Sequence, residues 1–394
     1  MVKPAAAQLA SPDLDQAFRT LRSVEFPWTG ETTYLNNAGS GPIPERSRRV
    51  LEEMAARRTA PHLLPDRELF AGLADLRVLI ARLLNADVDE IALANNTTFG
   101  LSLAARGLPL KPGDTVLIPE REFPANVYPW LMQRSRGINV EFVPLTPEGW
   151  PDEDRLVARL ADPAVKVLAI SWVQFSSGYR ADLDRLSAVC HANNAFLVVD
   201  AIQGVGQVPL NLAHTQVDVL ACGGQKWLLS PWGSGFVYVR KEIQDLLEPV
   251  MVGWMSFEGT DDFSKLTEYN TTLRNNARRY EAGTPAFQDF LAMRESLRMM
   301  LDLGVEQIAA RNRALCEPLL AAGRRGEITI ASPTDPDHSC AIVCVVPGHV
   351  AEAFHGLKKA NVICALREGR IRIAPHCYNT VEEVEKVVAL LTGR

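Results

Sequence analysis

The stretch Ala195–Val239 constrains the fold of this chain more than any other. Two short apolar runs in it stop at polar or turn residues: Phe196–Val199 at Asp200, and Val219–Cys222 at Gly223-Gly224-Gln225-Lys226. Short continuous apolar runs bounded by turn residues are the pattern of strands buried on both faces of a parallel-type sheet. The pattern recurs at Ile91–Ala94, Val116–Pro119, Ile138–Leu145 and Val165–Val173. Between these runs, Leu101–Gly107, Pro151–Leu160 and Ala181–Ala195 read as helices, and Ser47–Arg58 and Arg67–Leu84 place apolar residues at three- and four-residue spacing. Strands alternating with helices imply an α/β fold, a parallel sheet with crossover connections. Ligands of open α/β sheets sit beyond the carboxyl ends of the strands. Asp200 and Lys226 both project there.

An acid and a lysine so placed suit one chemistry. A lysine amine whose surroundings lower its pKa can form a Schiff base with a carbonyl. A buried carboxylate beyond the neighbouring strand can keep a pyridinium nitrogen protonated. Pyridoxal 5′-phosphate requires both groups. Taken singly, Asp200 is equally a helix N-cap or a metal ligand, and Lys226 a solvated lysine.

The run D-A-x-Q from Asp200 to Gln203, then a second strand, then G-G-Q-K-W from Gly223 to Trp227, resembles the class V aminotransferase group. That group includes cysteine desulfurases, selenocysteine lyases, kynureninases, cystine lyases and isopenicillin-epimerase-like proteins. The resemblance extends from about Tyr34 to the C-terminus. It implies fold-type I architecture: a large domain with a mostly parallel sheet of the seven-stranded type, at 31–285, and a smaller α+β domain at 286–394, with an N-terminal arm at 1–30. It implies Lys226 as the cofactor lysine, Asp200 as the partner of the ring nitrogen and Gln203 near the ring oxygen. Desulfurases carry serine and histidine where this chain has Gly223 and Gln225, and Gln225 is kept as a candidate cofactor contact.

Other segments fall into place beside these. Ile91–Ala94 opens through Asn95-Asn96-Thr97-Thr98 into a helix, and a strand-to-helix junction rich in hydroxyl and amide groups is a ready anion site. Asn96, Thr97 and Thr98 match the group's phosphate turn, and the same residues also serve as N-caps. Phe123 matches the residue that stacks on the cofactor ring; desulfurases have histidine there, and phenylalanine cannot move a proton. Gln174 follows a strand and faces the cofactor or the substrate. The loop Tyr34–Pro44 lines the substrate pocket in the group, with Asn37 and Gly39 as candidates, and Trp254 is a candidate cap. Arg279-Tyr280-Glu281-Ala282-Gly283-Thr284 matches the motif R-[FY]-E-x-G-T, which implies that Thr284 reaches the cofactor phosphate of a second subunit in a homodimer. Alternation places Arg370 and Arg372 on one face of a strand; the resemblance selects Arg372 as the clamp for the substrate carboxylate, a task a planar guanidinium suits. Thr380 and Glu383 form a capping box for the last helix.

Composition narrows the partners. A net charge of −6 lacks the basic footprint of a nucleic-acid binder. No uncharged run is long enough to span a bilayer, no signal peptide is evident, and the histidines have no metal-site spacing. The seven cysteines are dispersed without CxxC, as expected of reduced thiols in the cytoplasm. In desulfurases a mobile cysteine precedes the carboxylate-binding arginine. Here Leu366–Ile371 contains none, and Cys364 lies within an apolar run.

The expectation is therefore an enzyme acting at Cα of a small amino-acid substrate, with a lyase-type β-elimination placed first. Transamination and epimerisation are the alternatives, then desulfuration, and last a non-catalytic binding protein.

Overall fold

The computed structural model describes residues 12–393; the first eleven residues of the expected arm lie outside it. Thirteen strands are present among the described residues. In chain order they are β1 (Thr33–Tyr34), β2 (Ile91–Leu93), β3 (Thr115–Pro119), β4 (Asn139–Val143), β5 (Val165–Ser171), β6 (Phe196–Asp200), β7 (Val219–Gly223) and β8 (Gly235–Val239), then β9 (Thr329–Ile330), β10 (Val343–Val346), β11 (Val362–Ile363), β12 (Ala365–Arg367) and β13 (Arg370–Ile373).

Seven of them form one sheet in the order β2-β8-β7-β6-β5-β3-β4. Neighbours from β7 through β4 run parallel, and β8 is antiparallel to both β2 and β7. The mostly parallel seven-stranded sheet expected from the sequence is present. Alternation along each strand feeds two cores. Leu197, Val199, Leu220 and Phe236 face one core with Leu73, Leu76 and Leu297. Val198, Val219, Ala221 and Val237 face the other, with Leu101 and Ala104. The helix Thr97–Gly107 lies so close to the sheet that a Cβ at Gly100 would come within 2.6 Å of Val237 Cγ2 and 2.7 Å of Ala221 Cβ. Only glycine permits that approach.

The C-terminal part has its own four-stranded antiparallel sheet, β12-β13-β10-β9, and its own core of Val343, Val345, Ile371, Ile373, Leu319 and Val384. Here the structure corrects the sequence reading. Val362–Leu366 reads as one strand paired with Arg370–Pro375. In the fold it is divided between two sheets: β11 pairs in parallel with β1, and β12 pairs with β13. The long helical run expected across Phe290–Leu320, interrupted near Gly304, is present as two helices, Phe287–Leu303 and Val305–Arg324. They break at Gly304, whose φ of 85° an L side chain rarely adopts. The capping box at Thr380 and Glu383 forms as expected. No helix among the described residues is long and apolar enough to cross a membrane.

The Arg279-Tyr280-Glu281 signature works inside the fold. Glu281 accepts from Arg77 Nε at 2.9 Å, Arg77 Nη2 at 2.6 Å and the backbone N–H of Leu93 at 2.8 Å. It so ties helix Asp66–Leu84 to the end of β2, one turn before Asn96. The Tyr280 hydroxyl lies 3.0 Å from the Gln244 carbonyl and 3.2 Å from that of Leu247. Glu281→Ala leaves a buried guanidinium without its counter-charge. It should cost about 3–5 kcal/mol of stability, read as a lower denaturant midpoint at unchanged slope. A loss below about 1 kcal/mol would show that the pair is not a brace.

Candidate active site

The strand ends converge on one edge of the large sheet. Asp200 closes β6, Lys226 follows β7, Glu122 follows β3 and Gln174 follows β5. The backbone at Lys226 is held from three sides. The N–H of Gly41 donates to Gln225 O at 2.8 Å, and a Cβ at Gly41 would fall 2.1 Å from Lys226 O, so the loop can lie here only as glycine. The Lys226 carbonyl accepts from Leu229 N–H at 3.2 Å, with Leu229 at a strained φ of 52°. His376 is wholly buried, its Nε2 3.1 Å from Trp227 O and its ring stacked on Trp227. Burial lowers its pKa to about 4, so it serves as a neutral structural group. These supports fix where the lysine side chain starts. Its Nζ lies 5.5 Å from the centroid of the Phe123 ring.

Electrostatics follow from burial. Desolvation lowers the Lys226 pKa to about 8, opposed by Asp200 and assisted by Arg372. Desolvation raises the Asp200 pKa to about 7, opposed by the Ile202 N–H and by Lys226, with Glu122 adding to the rise. The Asp200 carboxylate accepts from Ile202 N at 3.1 Å. Next to it, Glu122 is buried and accepts from Ser171 N at 2.7 Å, Ser171 Oγ and Gln174 Nε2 at 2.6 Å. Burial raises the Glu122 pKa, against those donors.

The other candidates divide into those with polar atoms in use and those with polar atoms available. Gln203 is buried, donating to Ala38 O at 3.0 Å and accepting from Trp227 Nε1 at 2.8 Å. Asn37 is buried too, donating to Ala374 O and accepting from the Tyr378 hydroxyl, each at 2.8 Å. Thr97 Oγ1 accepts from Gly223 N at 2.9 Å, which joins the helix start to the lysine turn. Asn96 caps that helix through Phe99 N at 3.0 Å. Thr98 is exposed at the same end, where it shares a cavity of about 480 Å³ with Ser102, Phe123, Tyr128 and Met132. Gln225 Oε1 fills the space at Gly223, 2.5 Å from where a Cβ would stand, and Gly39 sits against the Asn36 amide.

Arg372 is buried and donates to Phe175 O at 2.7 Å, while its Nε has no partner. Desolvation lowers its pKa to about 10. Trp254 packs edge-on against Phe70 and Phe263. Thr284 is exposed. Among the described residues no hydrogen bond or ring contact joins Trp254 or Thr284 to Lys226.

The residues fit pyridoxal 5′-phosphate by their own chemistry. Asp200 is a buried carboxyl with no cation hydrogen-bonded to it, Lys226 is an amine made less basic, and an Asn-capped helix start opens beside them. The guanidinium of Arg372 is buried without a carboxylate, a costly state unless an anion completes it. Sequence reasoning missed Glu122 and Ser171, which bind β3 to β5 beside Asp200, and Asn126, buried beside Glu122. Glu122 stands after a strand as Asp200 does, and that position was the available signal.

A family model described as aminotransferase class V matches residues 33–387. An uncharacterized aminotransferase, YcbU, of Bacillus subtilis is 28% identical over 78% of this chain and 80% of its own. A probable cysteine desulfurase of Pyrococcus abyssi is 27% identical over 93% of this chain and 95% of its own. Among solved structures, the cystine C–S lyase C-DES in complex with cysteine persulfide superposes with a TM-score of 0.84 at 22% identity, covering 93% of this chain and 99% of the other.

Proposed function

The chain belongs to the class V aminotransferases, and from that premise we propose that this pyridoxal-phosphate enzyme removes the α-proton of an amino acid and expels a group from its β-carbon. The cofactor, when bound, supplies an electron-withdrawing ring that makes the α-proton acidic. The remaining roles fall to side chains. Lys226 carries the cofactor, and as a neutral amine its Nζ takes the α-proton. Asp200 holds a positive charge at the ring nitrogen. Arg372 receives the α-carboxylate through its unpaired edge. Asn96, Thr97, Thr98 and Gln225 stand at the phosphate end, Gln203 at the ring oxygen, and Gln174, Asn37, Gly39 and Trp254 around the substrate.

The observation that carries this choice over inversion and desulfuration is that, among the described residues, Lys226 Nζ faces the Phe123 ring and every cysteine is buried. Phe123 stands over Lys226 Nζ and cannot exchange a proton, so a two-base inversion is disfavoured. All seven cysteines are buried, and burial raises the Cys364 thiol to about 12, so no ready thiolate attacks a substrate sulfur. Several relatives are named cysteine desulfurases; this chain lacks a cysteine between Leu366 and Ile371. One base suffices for elimination, in which Lys226 takes the proton and the pair of the Cβ–X bond leaves with X.

We place the working unit as a homodimer in the cytoplasm. Tyr128 and Met132, 65% and 70% exposed, line one apolar cavity with Phe123, a grouped apolar surface that suits cover by a second subunit. The separate sheets support a large unit and a smaller C-terminal one, but not a boundary at 286: helix Phe287–Leu303 packs into the large sheet's core through Phe290, Met293 and Leu297, and β1 pairs with β11.

The test is incubation of the purified protein with single amino acids in heavy water, with products read by mass spectrometry and the particle mass by sedimentation. Release of the side chain with an oxo acid supports elimination. A keto acid keeping its side chain would replace it with transamination, inverted substrate with epimerisation, and sulfur on a protein cysteine with desulfuration. A fully active monomer would overturn the dimer.

A further inference from the structure

β12 and β13 are joined by Glu368 and Gly369, with φ of 47° and 74°, the left-handed pair of a tight two-residue hairpin. Its register pairs Ala365 with Arg372 and Arg367 with Arg370. Cross-strand partners and alternate residues share a face. Arg367, Arg370 and Arg372 therefore stand on one face of one hairpin. On the other side of β13, Cys344 pairs with Arg372. Its thiol lies 3.2 Å from Ser176 O, and Arg372 itself donates to Phe175 O. This face is thus turned to the loop after β5, the edge of the large sheet that carries Lys226.

The other buried arginines, Arg77, Arg274 and Arg279, each reach a carboxylate. Among the described residues no carboxylate pairs with Arg367, Arg370 or Arg372. Arg367 is exposed, and its guanidinium donates only to its neighbour's carbonyl, Leu366 O. Its positive charge adds to the lowering that burial imposes on the pKa values of Lys226 and Arg372. Arg370 is directed to Gly149, where a Cβ would lie 3.7 Å from its Nη2.

We propose that Arg367 is a specificity-determining residue that binds a second carboxylate, and that the substrate is a β-substituted alanine whose leaving group carries that carboxylate. The inference rests on the reading that Arg372 takes the α-carboxylate. With one anion at Arg372, the next level of the hairpin face holds the cross-strand pair Arg370 and Arg367; Arg370 is half-buried against Gly149, which leaves the exposed Arg367 for a second anion. A neutral side chain would leave it solvated; an acidic one would complete a charge-assisted hydrogen bond.

The test is calorimetric binding of dicarboxylates (succinate, glutarate) and monocarboxylates of equal length (butyrate, valerate) to the holoenzyme at low salt. The diacids should bind about tenfold tighter, a preference that narrows as ionic strength rises. Arg367→Gln should bring the ratio near one, Arg367→Lys should keep part of it, and Arg370→Gln should leave it in place. Equal binding of the two classes by the unaltered protein, or a ratio that survives Arg367→Gln, overturns the proposal. A ratio that collapses in Arg370→Gln instead overturns the choice of residue. The cofactor reading is scored separately, by whether the purified protein carries a visible chromophore at all.

Discussion

Replacing Lys226 by alanine should lower turnover at least about 10⁴-fold, because the covalent tether of the cofactor and the general base are lost together. Reductive trapping with borohydride should place the cofactor mass on the peptide containing Lys226 in the unaltered protein and on no peptide of the variant. Trapping on another lysine, or turnover within tenfold of the original, would refute the assignment. The fold should persist, since the turn is held by Gly41, Leu229 and His376 through the backbone of Gln225–Trp227. The pH profile carries a second signature. Burial, with Arg372 adding to it, lowers the Lys226 pKa to about 8. The neutral amine is the base, so a step limited by α-proton removal should rise with pH and level off above about 8. An ordinary lysine would still be gaining near 10. Arg372→Gln removes one of the charges that disfavour the ammonium, so the inflection should move upward.

Asp200→Asn should separate activity from stability. Asparagine keeps the shape and loses the charge that would hold a protonated ring nitrogen. Removing such an electrostatic partner costs about 10²–10³ in kcat. Stability without cofactor should move the other way. Burial raises Asp200 to about 7 in the folded chain, from an ordinary 3.8. The folded state therefore holds a proton that the unfolded chain gives up, and stability falls as pH rises from about 4 through 7. Above pH 7 the buried carboxylate costs on the order of a few kcal/mol, a cost the variant does not carry. The cofactor-free variant should therefore melt higher than the unaltered protein at pH 8 and close to it at pH 4. A variant that melts lower at pH 8 would mean that the carboxylate has a cationic partner within the protein.

What the sequence determined by itself was local or periodic. The apolar runs ending at Asp200 and Gly223 specify buried strands because their length and bounds leave few other ways to hide them. A ligand site at the strand ends then follows from the topology of any such sheet. The cap at Thr380 was readable because both partners lie within one turn. What depends on pairing at a distance was not readable. Val362–Leu366 is one run of residues, yet its first half joins β1 and its second half β13, because each half satisfies its backbone groups against a different neighbour. Arg279-Tyr280-Glu281 is a recognisable string, but its work as a brace exists only because Arg77 and Leu93 come to meet Glu281. Asn37 was a candidate by position, and in the fold both its polar atoms are taken by Ala374 and Tyr378, more than 330 residues away. Arg370 and Arg372 were equivalent by alternation. The tertiary structure separated them by burial and added Arg367 through hairpin register, because burial and register are set by what packs against a strand and not by the strand's own order of residues.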